Sequence, residues 1–307
     1  MAVKPEDRLL SYDIGGSHIT VGLCLLEPMT LLRMAVAPLP DAISSDAFIG
    51  LLHELGRKLI GGGDQAAGAS LAFPAPFAYG TGISYMQHKL RSLYGVDLKT
   101  ALADRFGWTP EQIRFLNDAD AALLGETGAG AAKGAAKAVG IMLGTGIGFS
   151  FVQDGSLNDT APGVPPDNEI WNLPFLGGIV EDSLSSRALE GDYQARTARC
   201  ESVKAIAQHA ATDPDARAVF NTFGGHLGQV LKEIVAPIGP EVVVLGGGIS
   251  RSSHLFLPAA RNQMNGSGIR LVPSVLLEKA PLLGAAFYWR DCASRPSPSH
   301  STLTTQL

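Results

Sequence analysis

Leu9-Leu10-Ser11-Tyr12-Asp13-Ile14-Gly15-Gly16-Ser17-His18-Ile19-Thr20-Val21-Gly22-Leu23 sets two apolar runs on either side of a glycine turn. Such a pattern reads as a β-hairpin, and here a carboxylate, Asp13, comes just before the glycines. The same design returns later. Val139-Gly140-Ile141-Met142-Leu143 leads into the turn Gly144-Thr145-Gly146-Ile147-Gly148, and Phe149-Ser150-Phe151-Val152 follows, closed by Asp154-Gly155. Two hairpins of one design, about a lobe apart, form a weak internal repeat. A third glycine turn, Gly246-Gly247-Gly248, ends the buried-strand pattern Glu241-Val242-Val243-Val244-Leu245.

Between these landmarks, Phe48, Leu51, Leu52, Leu55, Leu59 and Ile60 make a helical stripe over 46–60. Ala69–Phe73 reads as a strand ended by Pro74-Ala75-Pro76, and 77–94 as a long irregular stretch before a helix over 97–106. Ile113–Leu116 reads as a strand, Asn117-Asp118 as a turn, and the Ala/Leu run to Glu126 as a helix. Helical patterns fill 181–211. Phe223, Leu227, Val230, Leu231 and Ile234 line a helix that Pro237 stops. A strand-like run over 272–277 precedes a last apolar helix over 281–289, and Ser, Pro and Thr dominate from Ala293 onward as a frayed tail.

At 307 residues, 46% hydrophobic and 17% charged, the chain has the composition of a compact two-lobed protein. A formal charge of -5 argues against nucleic acid or an anionic membrane as the main partner, yet backbone N–H groups can still bind a small anion. No apolar run approaches a membrane span, and the acidic, Pro-containing start does not resemble a signal peptide. Cys24, Cys200 and Cys292 are odd in number and widely spaced, which suits neither a disulfide framework nor a metal site. The expected compartment is the cytoplasm.

Three glycine turns at strand ends favour a nucleotide, because glycine lets backbone N–H groups approach phosphate oxygens. Gly-Lys never occurs, so the P-loop class is excluded, and no turn fits the glycine pattern of a dinucleotide site. Asn117-Asp118 has two readings. Either residue can cap the following helix, or Asp118 can face a ligand beyond the carboxyl end of its strand.

Asp13-Ile-Gly-Gly-Ser, Asn117-Asp118-Ala-Asp-Ala-Ala, Leu143-Gly-Thr-Gly-Ile-Gly and Val244-Leu-Gly-Gly-Gly-Ile resemble, in order and spacing, the ROK family of sugar kinases. Gly125-Glu126 and Leu282-Leu283-Gly284-Ala285-Ala286 extend the resemblance over about residues 9 to 290. It implies an α/β, two-lobed actin-like ATPase (ribonuclease H-like) fold with the active site in the interlobe cleft. The implied lobes are 1–117, joined by the C-terminal helix at about 281–292, and 118–280, with 293–307 a disordered tail.

The resemblance also implies roles. Asp13 would hold Mg²⁺, directly or through water, and Gly15, Gly16 and Ser17 would approach the transferred phosphoryl group. Gly144, Thr145 and Gly146 would cradle the ATP phosphates, and Gly247 and Gly248 would pack near the adenosine. Asp118 would accept the proton of the attacking sugar hydroxyl, with Asn117 on a neighbouring hydroxyl. Glu169, Asn172 and Glu181 would contact sugar. A homodimer is compatible with the resemblance. The first hairpin begins near residue 9, so no DNA-binding domain of the family's repressors is expected ahead of it.

The pattern breaks on the sugar side. The family's Glu-x-Gly-His is Glu169-Ile170-Trp171-Asn172 here, and the cysteines that hold zinc in many members are absent, so no zinc is expected. Met86-Gln87-His88-Lys89-Leu90 stands where the family tends to place an Asn and a Trp. His18 replaces a Lys and Phe149 a further Gly. Trp171 is read as core or as a stacking platform for sugar, and Glu181 as a sugar contact or a surface carboxylate starting a helix. The first function reading is ATP-dependent phosphorylation of a hexose or related sugar. The others are a non-catalytic sugar-binding or regulatory pseudokinase, and a phosphotransferase with an acidic or acyl acceptor.

Overall fold

The computed structural model describes residues 7–40, 42–61, 65–87 and 89–293. The expected tail from 294 onward and His88 lie outside these residues. The chain divides into two compact units, Met1–Leu116 with Ala285–Leu307, and Asn117–Gly284.

In the first unit, β1 (Arg8–Ile14), β2 (His18–Leu26) and β3 (Met29–Pro38) form an antiparallel meander. Helix α1 (Ser45–Ile60) follows, started by Ser44, whose hydroxyl accepts from the Ala47 N–H at 3.3 Å. β4 (Ala69–Phe73) then pairs in parallel with β1. The stretch expected to be irregular holds a small hairpin, β5 (Phe77–Ala78) and β6 (Ile83–Ser84), before α2 (Leu98–Phe106), which Asp97 caps. β7 (Ile113–Asn117) completes a five-stranded sheet in the order β3-β2-β1-β4-β7. Beyond His18, β2 is largely buried on both faces, and its residues are correspondingly mostly apolar. Tyr12 on β1 is fully buried beneath α1 and donates its hydroxyl proton to the Leu52 carbonyl at 2.9 Å. Burial pushes that phenol's pKa well up.

In the second unit, α3 (Asp118–Ala129) leads to β8 (Lys137–Leu143), β9 (Ile147–Gln153) and the short β10 (Ser156–Leu157), a second antiparallel meander. A small hairpin, β11 (Pro174–Phe175) and β12 (Gly178–Ile179), precedes α4 (Val180–Ser183), α5 (Ser186–Thr197), α6 (Val203–His209) and α7 (Pro214–Val230). β13 (Val242–Gly246), α8 (Ser253–Gln263) and β14 (Arg270–Pro273) follow, and α9 (Ala280–Ala293) begins in this unit and passes into the first at Ala285. The sheet order is β10-β9-β8-β13-β14. Position for position, this is the order of the first sheet.

Three sequence readings need correction. β3 and α8 were not anticipated, and the strand expected over 272–277 instead spans Arg270–Pro273, where it pairs with β13 from Val242 to Leu245. Each unit has its own core. One is built on Phe48, Leu71, Phe73 and Phe115, the other on Phe151, Phe220, Phe223 and Phe256.

Candidate active site

The first unit supplies one glycine turn. The Gly15 N–H donates to the His18 carbonyl at 3.0 Å, which closes the turn between β1 and β2, and the Leu39 N–H bonds the Ser17 carbonyl at 2.8 Å. Gly16, Ser17 and His18 are exposed, while Asp13, last but one in β1, is half-buried. The Ser17 hydroxyl and His18 Nδ1 lie 3.3 Å apart. A single carboxylate beside exposed backbone donors fits Mg²⁺, which takes one or two carboxylates, phosphate oxygens and water. Among the described residues no group of three or more His, Cys, Asp or Glu side chains is placed to hold a metal ion.

The second unit brings the other two turns together. β8 and β13 run parallel, with Met142 opposite Gly246, so the turns at 144–146 and 247–248 leave neighbouring strand ends. Gly247 has φ +80, and a Cβ there would strike the Leu143 carbonyl, so this position requires glycine for packing whatever else it does. At Gly248 a Cβ would meet nothing within 4 Å, which leaves its backbone open to a ligand. The 144–146 turn is closed by the Gly144 N–H to the Gly146 carbonyl at 3.0 Å. The Ser186 N–H and hydroxyl, at the start of α5, both donate to the Gly144 carbonyl, at 2.8 and 3.0 Å.

Asn117 and Asp118 lie at the start of α3. Asn117 is the N-cap, its side-chain oxygen accepting from the Ala119 N–H at 2.9 Å, and Asp118 Oδ1 accepts from the same N–H at 2.9 Å. The capping reading therefore holds for Asn117. Asp118 is exposed just beyond β7, at the first position of α3.

The segment carrying the altered sugar motif is anchored by Ile170, which is fully buried. Glu169 accepts a hydrogen bond from the Trp171 indole N–H at 2.6 Å. Trp171 is 39% exposed, so the core reading fails for it, and Asn172 is exposed beside it. The β11–β12 hairpin turns at Leu176 (φ 49) and Gly177 (φ 82) and returns the chain so that the Glu181 N–H bonds the Trp171 carbonyl at 3.0 Å. Glu169, Trp171 and Glu181 are thus linked. Glu181 also reaches the second glycine turn. Its Oε2 accepts from the Ile147 N–H at 3.4 Å and fills the space beside Gly146, and its Oε1 lies 3.9 Å from Arg187.

Asp120 is a site residue that the sequence pattern alone does not single out. It accepts from the Ser150 hydroxyl at 2.6 Å and faces the Asn168 amide at 3.5 Å. Burial is the main cause that pushes its pKa up to about 6, opposed by the Ser150 bond and assisted by the charges of Asp118 and Asp159. The only signal in the sequence was a second Asp two residues after the first in an Ala/Leu helix. Glu126, by contrast, is a structural carboxylate. It is 1% exposed and accepts from Ser274 Oγ, Leu276 N and Ala131 N at 2.5, 2.9 and 2.7 Å.

Known proteins resemble this chain along most of its length. A glucokinase of Thermotoga maritima is 26% identical, over 92% of this chain and 97% of its own. The crystal structure of a ROK hexokinase from Thermus thermophilus superposes with a TM-score of 0.78 at 24% identity, covering 94% of this chain and 100% of that one. A ROK glucokinase from Streptomyces griseus, solved with glucose and AMPPNP, gives a TM-score of 0.76 at 21% identity, covering 92% and 99%. These likenesses carry the actin-like ATPase fold. The ROK family model itself matches residues 9–292, from the first hairpin to the last helix, and the chain belongs to the ROK family.

Proposed function

We propose that the protein phosphorylates a hexose or a closely related sugar with ATP, with Asp118 as the general base. The carrying observation is the exposed Asp118 carboxylate at the first position of α3, held by the Asn117 cap just beyond a strand end. A carboxylate so placed can accept the proton of a hydroxyl as its oxygen attacks phosphorus, a contribution of about 10²–10⁴-fold. Relatives named as glucokinases support the choice of sugar class.

Asp13 is the residue that would carry Mg²⁺, which would neutralise phosphate charge when bound. Backbone donors of Gly15, Gly16 and Ser17 would orient the phosphoryl group, and Gly144, Thr145 and Gly146 the rest of the phosphate chain. The open backbone at Gly248, beside Gly247, suits the nucleoside end. Glu169, Asn172 and Glu181, with Asn117, would bind sugar hydroxyls, and the exposed Trp171 ring offers an apolar face to stack against. The cytoplasm is the compartment in which this reading places the reaction.

A magnesium-dependent ATP-consumption assay across a panel of hexoses, hexosamines and pentoses tests the proposal. Turnover with one sugar, lowered about 10²–10⁴-fold in Asp118→Asn, is the expected result. ATP binding without turnover on any sugar would overturn it in favour of a non-catalytic sugar-binding protein.

A further inference from the structure

Lys89 lies along the first glycine turn. Its Nζ is 3.1 Å, its Cε 3.8 Å and its Cδ 3.9 Å from the point that a Cβ on Gly16 would occupy. The end of the side chain therefore rests on the same exposed turn that follows Asp13. The backbone holds it there. Met86 and Leu90 on either side are 3% and 8% exposed and belong to the first unit's core. Leu90 takes a left-handed conformation (φ 49, ψ 40), and its carbonyl accepts from the Leu93 N–H at 2.8 Å. Lys89 itself is exposed. Among the described residues Lys89 forms no ion pair.

An ammonium resting on an exposed glycine turn at a strand end is an arrangement that attracts phosphate, for which lysine serves as a strong point charge. A Cβ at Gly16 would press on the ammonium, which would have to give by a few tenths of an ångström. The other polar groups of the turn, the Ser17 hydroxyl and the His18 ring, are turned toward one another.

We propose that Lys89 binds the terminal phosphoryl group of the nucleotide and stabilises the charge that develops on it during transfer. This deepens the kinase reading above and rests on it. In the transfer, the sugar oxygen forms a bond to the terminal phosphorus and the bond from that phosphorus to the bridging oxygen breaks. The hydroxyl proton passes to Asp118 and ADP leaves. The Lys89 ammonium takes no part in the bond changes and stays protonated throughout, so its contribution is electrostatic. Cations and donors aimed at such a group typically contribute 10²–10³-fold.

The test compares the wild-type chain with Lys89→Met, Lys89→Gln and Lys89→Arg. Steady-state kinetics with the accepted sugar are read alongside calorimetric affinities for ADP and for AMPPNP. Both neutral variants should lose about 100-fold in kcat with the sugar KM within about threefold, and Lys89→Arg should recover part of the loss. Both should also weaken AMPPNP about tenfold while leaving ADP unchanged, a selectivity that a purely structural lysine would not give. Unchanged kcat and an unchanged AMPPNP-to-ADP ratio in a folded Lys89→Met would overturn the proposal while the kinase reading stands. A wild type that turns over no sugar, yet loses its triphosphate preference in Lys89→Met, would overturn the kinase reading and keep this one. A wild type that binds neither nucleotide overturns both.

Discussion

The two sheets share one topology, an antiparallel meander extended by two more strands, yet the glycine turns they carry differ in charge. The turn of the first unit is overlain by the Lys89 ammonium. In the second unit, the Glu181 carboxylate lies against Gly146 and accepts the Ile147 N–H. A shared backbone design thus sets where N–H groups point, while residues from distant segments set what each turn attracts. The first turn is prepared for an anion. The second already holds one of its own, so a phosphate there must compete with Glu181 or draw it toward another partner.

The comparison can be pressed by substitution. The largest effect is expected at the start of α3, where Asp118→Asn should lower kcat by about 10²–10⁴-fold in a coupled assay while calorimetry shows nucleotide affinity preserved. Preserved turnover would remove the base from the second unit. Next comes Gly247→Ala, which combines a positive φ with a collision against the Leu143 carbonyl, and should cost about 2–4 kcal/mol in urea unfolding. Gly248→Ala, with open space around it, should stay within about 0.5 kcal/mol, and equal losses at both would contradict the packing argument.

A smaller change is expected from Glu181→Gln. Removing the negative charge from the second turn should tighten AMPPNP severalfold and raise the sugar KM about tenfold, bringing the two turns closer in character. Unchanged affinity for both ligands would mean that the charge difference between the turns has no consequence for binding.

The smallest effect concerns Asp120 and is read in thermal unfolding against pH. Its folded pKa of about 6 lies above the ordinary 3.8, so the folded state binds the proton more tightly than the unfolded chain. The wild type therefore loses stability as pH rises from about 4 to about 6, and Asp120→Asn should not. The variant should match the wild type near pH 4 and exceed it by on the order of 1–2 kcal/mol above pH 7, allowing for the residue's partial exposure. A gap that does not vary with pH would assign the difference to packing instead.

Much of this organisation could be read from residue order because the strands leading into the glycine turns are apolar and the turns are abrupt. β3 escaped because it is an edge strand with an exposed, irregular pattern that includes Arg33, and α8 because Pro258 interrupts it and its apolar content is low. The site residues divide along the same line. Asp13, Asp118 and the glycines are visible as local patterns. Lys89 gains meaning only from its contact with Gly16, 73 positions away in the chain, and Asp120 only from Ser150 and Asn168. Trp171 is exposed although aromatic residues are usually core, and nothing in its local pattern separated that reading from a stacking platform.

The first unit is discontinuous, and its last piece arrives late. Arg114 of β7 donates to the Trp289 carbonyl at 3.2 Å and stacks its guanidinium over the Trp289 ring at 5.3 Å, so residues beyond 284 finish a structure begun at residue 8. During synthesis the ribosome delivers the whole of 117–284 before the part of α9 beyond Gly284 emerges. The second unit can therefore reach its final form first, while the earlier-made sheet waits, its edge at β7 still lacking a partner. Chaperone dependence and protease sensitivity of nascent chains should then concentrate in the segment made first.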